Sequence, residues 1–242
     1  MFNFIRNRFP FNRILKPRPN FTYTKDGLYT THNSNFIQDK KFDKAYKAGK
    51  ATGSWRNDDI EWRAHVILWA ANQAYQLEGD FVECGVNKGG FSRAIVEYLD
   101  LQKAGKSMFL FDTFQGFDAS LLSETEKEKY LKGHFYDDSY EFVKNVFKPF
   151  PTVNIIKGPV PNTLQDVQID KVAFLSIDMN CVYPEEAALD FFWPKLVKGG
   201  IIILDDFAYD GFEEQYIAHK KWAAAKGIEI LSLPTGQGMI IK

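Results

Sequence analysis

Asp80-Phe81-Val82-Glu83-Cys84-Gly85-Val86-Asn87-Lys88-Gly89-Gly90 is the stretch whose reading decides the fold. It reads as a strand that ends on a carboxylate and passes into a glycine-rich turn. A helix follows, with Phe91, Ala94, Ile95, Tyr98 and Leu99 at helical spacing. A strand, a glycine turn and a helix N-terminus together bring backbone amides close to a bound ligand. The spacing is G-x-x-x-G-G, unlike the G-x-G-x-x-G that cradles a pyrophosphate. Glu83 lies two residues before the first glycine, where it can accept hydrogen bonds from a cationic or hydroxylated ligand. This combination suits S-adenosylmethionine better than NAD.

Outward from this unit, strands and helices alternate. Strands are expected at 80–84, 107–112, 153–157, 171–177 and 200–205, and helices at 90–104, 139–147, 184–197 and 212–226. Such alternation implies a parallel sheet with helices on both faces. The chain ends differently. Ile228–Leu233 and Gly238–Ile241 flank Pro234-Thr235-Gly236-Gln237 and read as a hairpin, which places an antiparallel strand at the sheet edge. Before the core, a short helix is expected near Phe42–Ala48 and an amphipathic helix between Asp58 and Leu77. Two regions follow: an N-terminal arm and pocket-shaping extension over 1–55, and an α/β domain over 56–242.

Open α/β sheets bind ligands beyond the carboxyl ends of their strands. Carboxylates end four strands here: Glu83, Asp112, Asp178 and the pair Asp205-Asp206. One such residue is ordinarily a strand stop or a helix cap. Asp112 stands one β-α-β step beyond the glycine turn, the place of an acid that binds ribose hydroxyls. Asp178 and Asp205-Asp206 end later strands, and neighbouring strands lie about 4.8 Å apart, so their carboxylates can share a cation. Three carboxylates without a nearby Cys/His set favour Mg²⁺ (or Mn²⁺) over Zn²⁺. Asp206 as a helix cap and Asp178 as a strand stop are the plain alternatives.

Of the histidines, His65 reads as a packed or surface residue, and His219, beside Lys220 and Lys221, as part of a solvated face. His134 lies in the connection 113–138, long enough to act as a lid over the active edge, and is the histidine candidate for a general base. Trp55, Tyr136 and Phe207 can stack on a ligand, core packing being the alternative.

The remaining features bound the answer. With 242 residues, 45% hydrophobic and 25% charged, the chain suits one α/β domain with a sizeable core. A net charge of −1 offers no reason to expect nucleic acid. The two cysteines, Cys84 and Cys181, form no disulfide framework and suit a reducing cytoplasm. No apolar run reaches transmembrane length, and no signal peptide is visible. The first eighteen residues mix Arg6, Arg8, Arg13, Lys16 and Arg18 with aromatic and aliphatic residues. That arm reads as a subunit clasp or as a peripheral contact with anionic lipid, which would place a cytoplasmic protein at a membrane surface.

Four blocks resemble the macrocin O-methyltransferase (TylF/MycF-type) family from about Trp55 to the C-terminus. They are Phe81-Val82-Glu83-Cys84-Gly85-Val86, Asp112-Thr113-Phe114-Gln115-Gly116-Phe117, Lys157-Gly158-Pro159-Val160-Pro161-Asn162-Thr163-Leu164, and Gly199-Gly200-Ile201-Ile202-Ile203-Leu204-Asp205-Asp206-Phe207. The resemblance implies a class I, S-adenosylmethionine-dependent and Mg²⁺-dependent methyltransferase with a Rossmann-like sheet of order 3-2-1-4-5-7-6, strand 7 antiparallel. It implies a cofactor site of Glu83, Gly85, Asn87, Gly89, Asp112, Thr113, Phe114 and Gly158. It also implies a metal triad of Asp178, Asp205 and Asp206; Asp178 and, from its place in the loop, His134 are the catalytic candidates. The acceptor it implies is a hydroxyl of a sugar or glycan precursor, and a homo-oligomer is expected. Met179-Asn180-Cys181 offers neither a second acid nor a lysine after Asp178, so no base is carried over from the family. A metal-dependent glycosyl- or nucleotide-transferring enzyme, a catechol-type O-methyltransferase and a non-catalytic binding protein on the same scaffold are the other readings. The transferase needs a diphosphate site, for which only Lys88 stands in the glycine loop.

Overall fold

The computed structural model describes residues 20–132 and 136–242. A short hairpin of β1 (Tyr23–Lys25) and β2 (Leu28–Thr30) comes first, then α1 (Lys40–Lys50) and α2 (Glu61–Ala74). The core follows as β3 (Asp80–Cys84), α3 (Gly90–Tyr98), β4 (Met108–Asp112), α4 (Glu124–Tyr130), α5 (Tyr140–Phe147), β5 (Val153–Lys157) and β6 (Val172–Ile177). It closes with α6 (Val182–Phe192), β7 (Leu196–Leu204), α7 (Glu213–Lys226), β8 (Leu231–Ser232) and β9 (Gly238–Ile241). The seven-stranded sheet has the order β5-β4-β3-β6-β7-β9-β8. Its pairings are parallel except where β9 meets β7 and β8. This is the strand order that the family resemblance implies, with the terminal hairpin read from the sequence supplying the antiparallel strand.

The central strands are apolar on both faces because helices cover both. Phe81 and Phe174 point into a core shared with α1, α2 and α3, through Phe42, Ala64, Ile67, Phe91 and Ile95. Val82, Cys84, Leu175 and Ile177 point into the other core, with Leu189 and Phe192 of α6 and Trp222 of α7. Helix α1 buries Phe42, Ala45, Tyr46 and Gly49 against α3, so residues before 55 share the main core. Several expected elements are shorter: α3 stops at Tyr98, where Leu99 turns extended, and α6 stops at Phe192, after which Pro194 tightens the chain. Two elements were not read from the sequence, the β1–β2 hairpin and α4 within the 113–138 connection.

Register brings the strand ends level. Cys84 pairs with Phe111 on one side and with Ile177 on the other, and Ile177 pairs with Leu204. The ladder then runs one step past the strands. Gly85 N–H donates to Phe111, Asp178 N–H to Cys84 and Asp205 N–H to Ile177, at 2.9, 2.8 and 2.9 Å. The residue after each of three strands, β3, β6 and β7, is therefore delivered to one edge, beside Asp112 at the end of β4. Among the described residues no helix is long and apolar enough to cross a membrane. The N-terminal arm considered for lipid contact lies outside the described residues.

Candidate active site

A cavity of about 500 Å³ opens along that edge. Gly85, Asn87, Asp112, Thr113, Phe114 and Gly158 line it, as do Asp178, Asp205 and Asp206. The glycine-loop residues and the acidic cluster thus share one space. Gly85 joins the two: at φ 89°, an added Cβ would lie 1.9 Å from the Asp178 carbonyl oxygen, so only glycine lets the loop pack there.

Asp112 organises the loop. Its Oδ2 accepts from the N–H groups of Val86 and Asn87 at 2.6 and 2.8 Å, and its Oδ1 accepts from Phe114 N–H at 2.6 Å. Thr113 Oγ1 approaches the same Oδ1 at 3.4 Å, so four donors surround the carboxylate. Burial raises the Asp112 carboxyl, and the amides of Phe114, Asn87 and Val86 oppose the rise. The backbone around the cavity is strained. Arg56, Asn87, Phe114 and Asn180 are non-glycine residues at φ 52°, 51°, 55° and 61°, and all four line the cavity. Such conformations cost roughly 1–3 kcal/mol each and persist where surroundings impose them. At Phe114 the imposing bonds are its N–H to Asp112 and its carbonyl accepting from Ser139 N–H.

The segment before α2 closes one side. Lys88 N–H donates to Ser54 Oγ at 3.1 Å and Asn87 Nδ2 to the Ser54 carbonyl at 3.2 Å. Gly90 leaves room for Trp55, whose Nε1 would lie 2.6 Å from a Cβ there. Ser54, Trp55, Arg56 and Asp58 consequently line the cavity, although they precede the first sheet strand.

Two of the expected cofactor residues lie elsewhere. Glu83 is buried beneath the edge, accepting from Ser92 Oγ of α3, and does not line the cavity. Burial, opposed by the Ser92 hydrogen bond and reinforced by Asp112 and Asp205, pushes its carboxyl up to about 8. The cause is register, since Glu83 shares the face of Phe81 and points into the α3 side of the sheet. Gly89 faces Phe147, whose ring would meet an added Cβ at 2.7 Å, and is also outside the lining. Phe207 is in the core and not in the cavity wall, whereas Trp55 and Tyr136 are in the wall.

The acidic cluster is tight. Asp178, Asp205 and Asp206 each offer an oxygen within 4.8 Å of the others. None caps a helix: Cys181 precedes α6 and Phe212 precedes α7 as the cap positions. Burial, then the charges of Asp205 and Asp206, drives the Asp178 carboxyl well up, and burial with Asp205 and Glu185 does the same at Asp206. Asp178 Oδ1 accepts from Asn180 Nδ2 at 3.0 Å. Asp206 Oδ2 is buried without a hydrogen-bond partner. Asp205 is held on both oxygens, Oδ2 by Arg63 Nη1 at 2.9 Å and Oδ1 by Gln237 Nε2 at 2.8 Å. An orphaned carboxylate oxygen inside an all-oxygen donor set fits a hard divalent cation.

Arg63 and Gln237, and Asp26 behind Arg63, were not singled out from the sequence. Asp26-Gly27 is a hairpin-turn dipeptide, and Arg63 interrupts the apolar spacing of Ile60, Ala64 and Ile67; both are signals, though neither names a partner. His219 is not on a solvated face. It is 1% exposed, with Nε2 3.1 Å from Glu185 Oε2, because α7 turns that side onto α6. The other oxygen of Glu185 accepts from Met179 N–H at 3.0 Å, steadying the loop after Asp178. Helix α4 reaches the same loop, as buried Glu126 accepts from Val182 N–H at 2.7 Å. His134 lies outside the described residues.

A model of the family described as macrocin-O-methyltransferase (TylF) matches residues 31–230. The mycinamicin III 3''-O-methyltransferase of Micromonospora griseorubida is 24% identical over 151 residues, 57% of this chain and 59% of that protein. The 8-demethyl-8-(2,3-dimethoxy-alpha-L-rhamnosyl)-tetracenomycin-C 4'-O-methyltransferase of Streptomyces olivaceus is 24% identical over 169 residues, 65% of this chain and 62% of that protein. The chain thus spans about three fifths of the length of the curated relatives it matches. Among solved structures, the O-methyltransferase NovP superposes with a TM-score of 0.70 at 19% identity, covering 87% of this chain and 99% of that one. That likeness concerns the fold, while the family match takes in the glycine loop, the edge carboxylates and most of the chain between them: this protein belongs to the macrocin O-methyltransferase (TylF) family.

Proposed function

We propose that the protein is an S-adenosylmethionine-dependent O-methyltransferase that acts on a sugar hydroxyl with Mg²⁺ or Mn²⁺ held by Asp178, Asp205 and Asp206. The observation that carries this reading is the single cavity in which the glycine-loop residues and the three carboxylates meet. Family membership supports the reaction type, and the names of the two relatives, one of them a rhamnosyl compound, support a sugar acceptor. The donor's sulfonium supplies an electrophilic methyl group, and a bound divalent cation lowers the pKa of a coordinated hydroxyl.

The chain's own residues supply the rest. Asp112 holds the amides of Val86, Asn87 and Phe114 in place, and a ribose hydroxyl would reach it by displacing the long contact from Thr113 Oγ1. Gly85, Asn87, Thr113, Phe114 and Gly158 form the wall around the cofactor. Asn180 Nδ2 donates to Asp178 Oδ1 and steadies the carboxylate that would serve as a cation ligand. Burial and the charges of Asp178 and Asp206 keep the Tyr136 hydroxyl protonated, which makes it a hydrogen-bond donor to the acceptor. Trp55 and Tyr136 offer ring faces to a sugar. Holding both reactants in one pocket replaces a bimolecular encounter by an oriented one, the main source of rate in such a displacement. Lys88 does not line the cavity, which leaves the glycine loop without a cation for a diphosphate.

Titration calorimetry with S-adenosylhomocysteine, joined to a tritiated-methyl assay on glycosides, nucleotide-linked sugars and catechols with and without EDTA, tests the proposal. Transfer to a sugar that stops reversibly in EDTA is the expected result. Transfer to catechols alone rejects the sugar acceptor, and full turnover in EDTA rejects the cation.

A further inference from the structure

Asp205 is held by a chain of charges that begins in the N-terminal hairpin. Arg63 of α2 donates Nη1 to Asp205 Oδ2 at 2.9 Å. The other side of the same guanidinium grips Asp26, Nε to Oδ2 at 2.7 Å and Nη2 to Oδ1 at 3.1 Å. This is the fork-to-fork geometry that fixes a guanidinium in one orientation. Tyr209, three residues beyond Asp206, donates its hydroxyl to Asp26 Oδ1 at 3.1 Å and sets its ring 5.1 Å from the guanidinium. The side chains of Arg63 and Asp26 are 15% and 7% exposed, so solvent screens neither of them much. Asp26 is carried by the turn between β1 and β2, at φ 51°, with Lys25 paired to Leu28 across it. That hairpin is anchored in turn, as Tyr23 and Lys25 donate to Glu61 at the start of α2.

A buried guanidinium beside three carboxylates poses an electrostatic problem. Within a few ångströms, and with little water between, like charges repel strongly. Arg63 alone would oppose a divalent cation at the cluster. A guanidinium stays charged wherever it sits, so the charge has to be balanced where it stands. Asp26 carries the balancing charge. The pair Asp26–Arg63 is neutral as a unit, so Arg63 brings no net positive charge to the side of Asp178, Asp205 and Asp206.

We propose that Asp26 and Arg63 are positioning residues for the divalent-cation site: Arg63 fixes the Asp205 carboxylate, and Asp26 cancels the charge of Arg63 so that the cluster still attracts the cation. The inference rests on reading Asp178, Asp205 and Asp206 as that site. It makes the N-terminal hairpin part of the catalytic apparatus although no residue of it enters the cluster.

The test measures Mn²⁺ affinity of the full chain by electron paramagnetic resonance, with S-adenosylhomocysteine affinity as a control for folding. Asp26→Asn leaves Arg63 unbalanced and is expected to weaken Mn²⁺ at least ten-fold while S-adenosylhomocysteine binding stays within two-fold. Arg63→Lys keeps the charge but not the fork, and is expected to weaken Mn²⁺ about three-fold. The double variant Asp26→Asn with Arg63→Gln removes both charges and is expected to recover affinity to within about three-fold of the parent, Gln237 still holding Asp205. A hairpin that mattered only for folding would make the double variant no better than Asp26→Asn, and that outcome overturns the proposal. Parent-like Mn²⁺ affinity in both Asp26→Asn and Arg63→Lys also overturns it, and leaves the cation site standing. No Mn²⁺ binding by the parent protein removes the cation site itself and the proposal with it.

Discussion

At one end of the cavity three backbone N–H groups meet the Asp112 carboxylate at 2.6–2.8 Å; at the other, Asp206 Oδ2 is buried with no partner and lies beside two more carboxylates. Both ends are built from acids at strand termini, yet they differ in who satisfies them. The glycine-loop end satisfies its acid from within, through a turn that aims amides at it. Its geometry is therefore set before any ligand arrives. The acidic end leaves Asp206 Oδ2 unpartnered, and burial, then repulsion from Asp205, raises Asp178 and Asp206. Such an arrangement gains stability when a cation enters, since ligand binding to the folded state alone stabilises it.

The strongest way to break the comparison is at the joint between the ends. Gly85→Ala forces a Cβ to within 1.9 Å of the Asp178 carbonyl at a φ of 89°. Backbone strain and overpacking of roughly 1–3 kcal/mol each should destabilise the fold by about 2–6 kcal/mol. Urea unfolding would show it, and a stability within 1 kcal/mol of the parent would mean that the two ends are not packed as described. Asp206→Asn should separate the ends. Methyl transfer and Mn²⁺ binding are expected to fall ~100-fold or more, the scale of losing one charged group at a reacting centre, while S-adenosylhomocysteine affinity is retained. Equal loss of both ligands would dissolve the distinction.

Glu83 sits under both ends and feels Asp112 and Asp205. The folded protein keeps it protonated up to about pH 8, whereas an unperturbed glutamate ionises near 4.5. Its contribution to stability is complete below pH 4.5 and is lost as pH rises toward 8. Melting temperatures across that window should fall by several degrees in the parent protein and less in Glu83→Gln; parallel curves would show that Glu83 is ionised inside the fold. The smallest effect is expected at the pre-satisfied end. Asp112→Ala should weaken S-adenosylhomocysteine by ~1–3 kcal/mol, the usual cost of unpairing such hydrogen bonds. Unchanged affinity by calorimetry would leave Asp112 with only its loop-holding role.

Legibility from sequence followed the range of each interaction. The sheet could be read because Val172–Ile177, apolar but for Ser176, and Ile201–Leu204 are short apolar runs that stop at an aspartate, as strands buried on both faces do. The hairpin of Tyr23–Lys25 and Leu28–Thr30 could not, since three residues are too few to show a period and only Asp26-Gly27 marks the turn. Helix α4 lies in a charged stretch without apolar spacing, where only the capping box of Ser123 and Glu126 marks its start. Glu83 was placed at the ligand because its position in the motif was legible while its face on the strand was not.

The sequence by itself determined the order of strands and helices and the four acids that end up at one edge, because hydrophobic periodicity and glycine turns are local properties of the chain. It also carried the blocks that mark the family. Only the tertiary structure decided which acids are satisfied and by whom. Arg63 and Asp205 lie 142 residues apart, and Asp26 and Tyr209 lie 183 apart. Contacts over such separations depend on how α2, the hairpin and β7 pack against one another, and no local pattern records that.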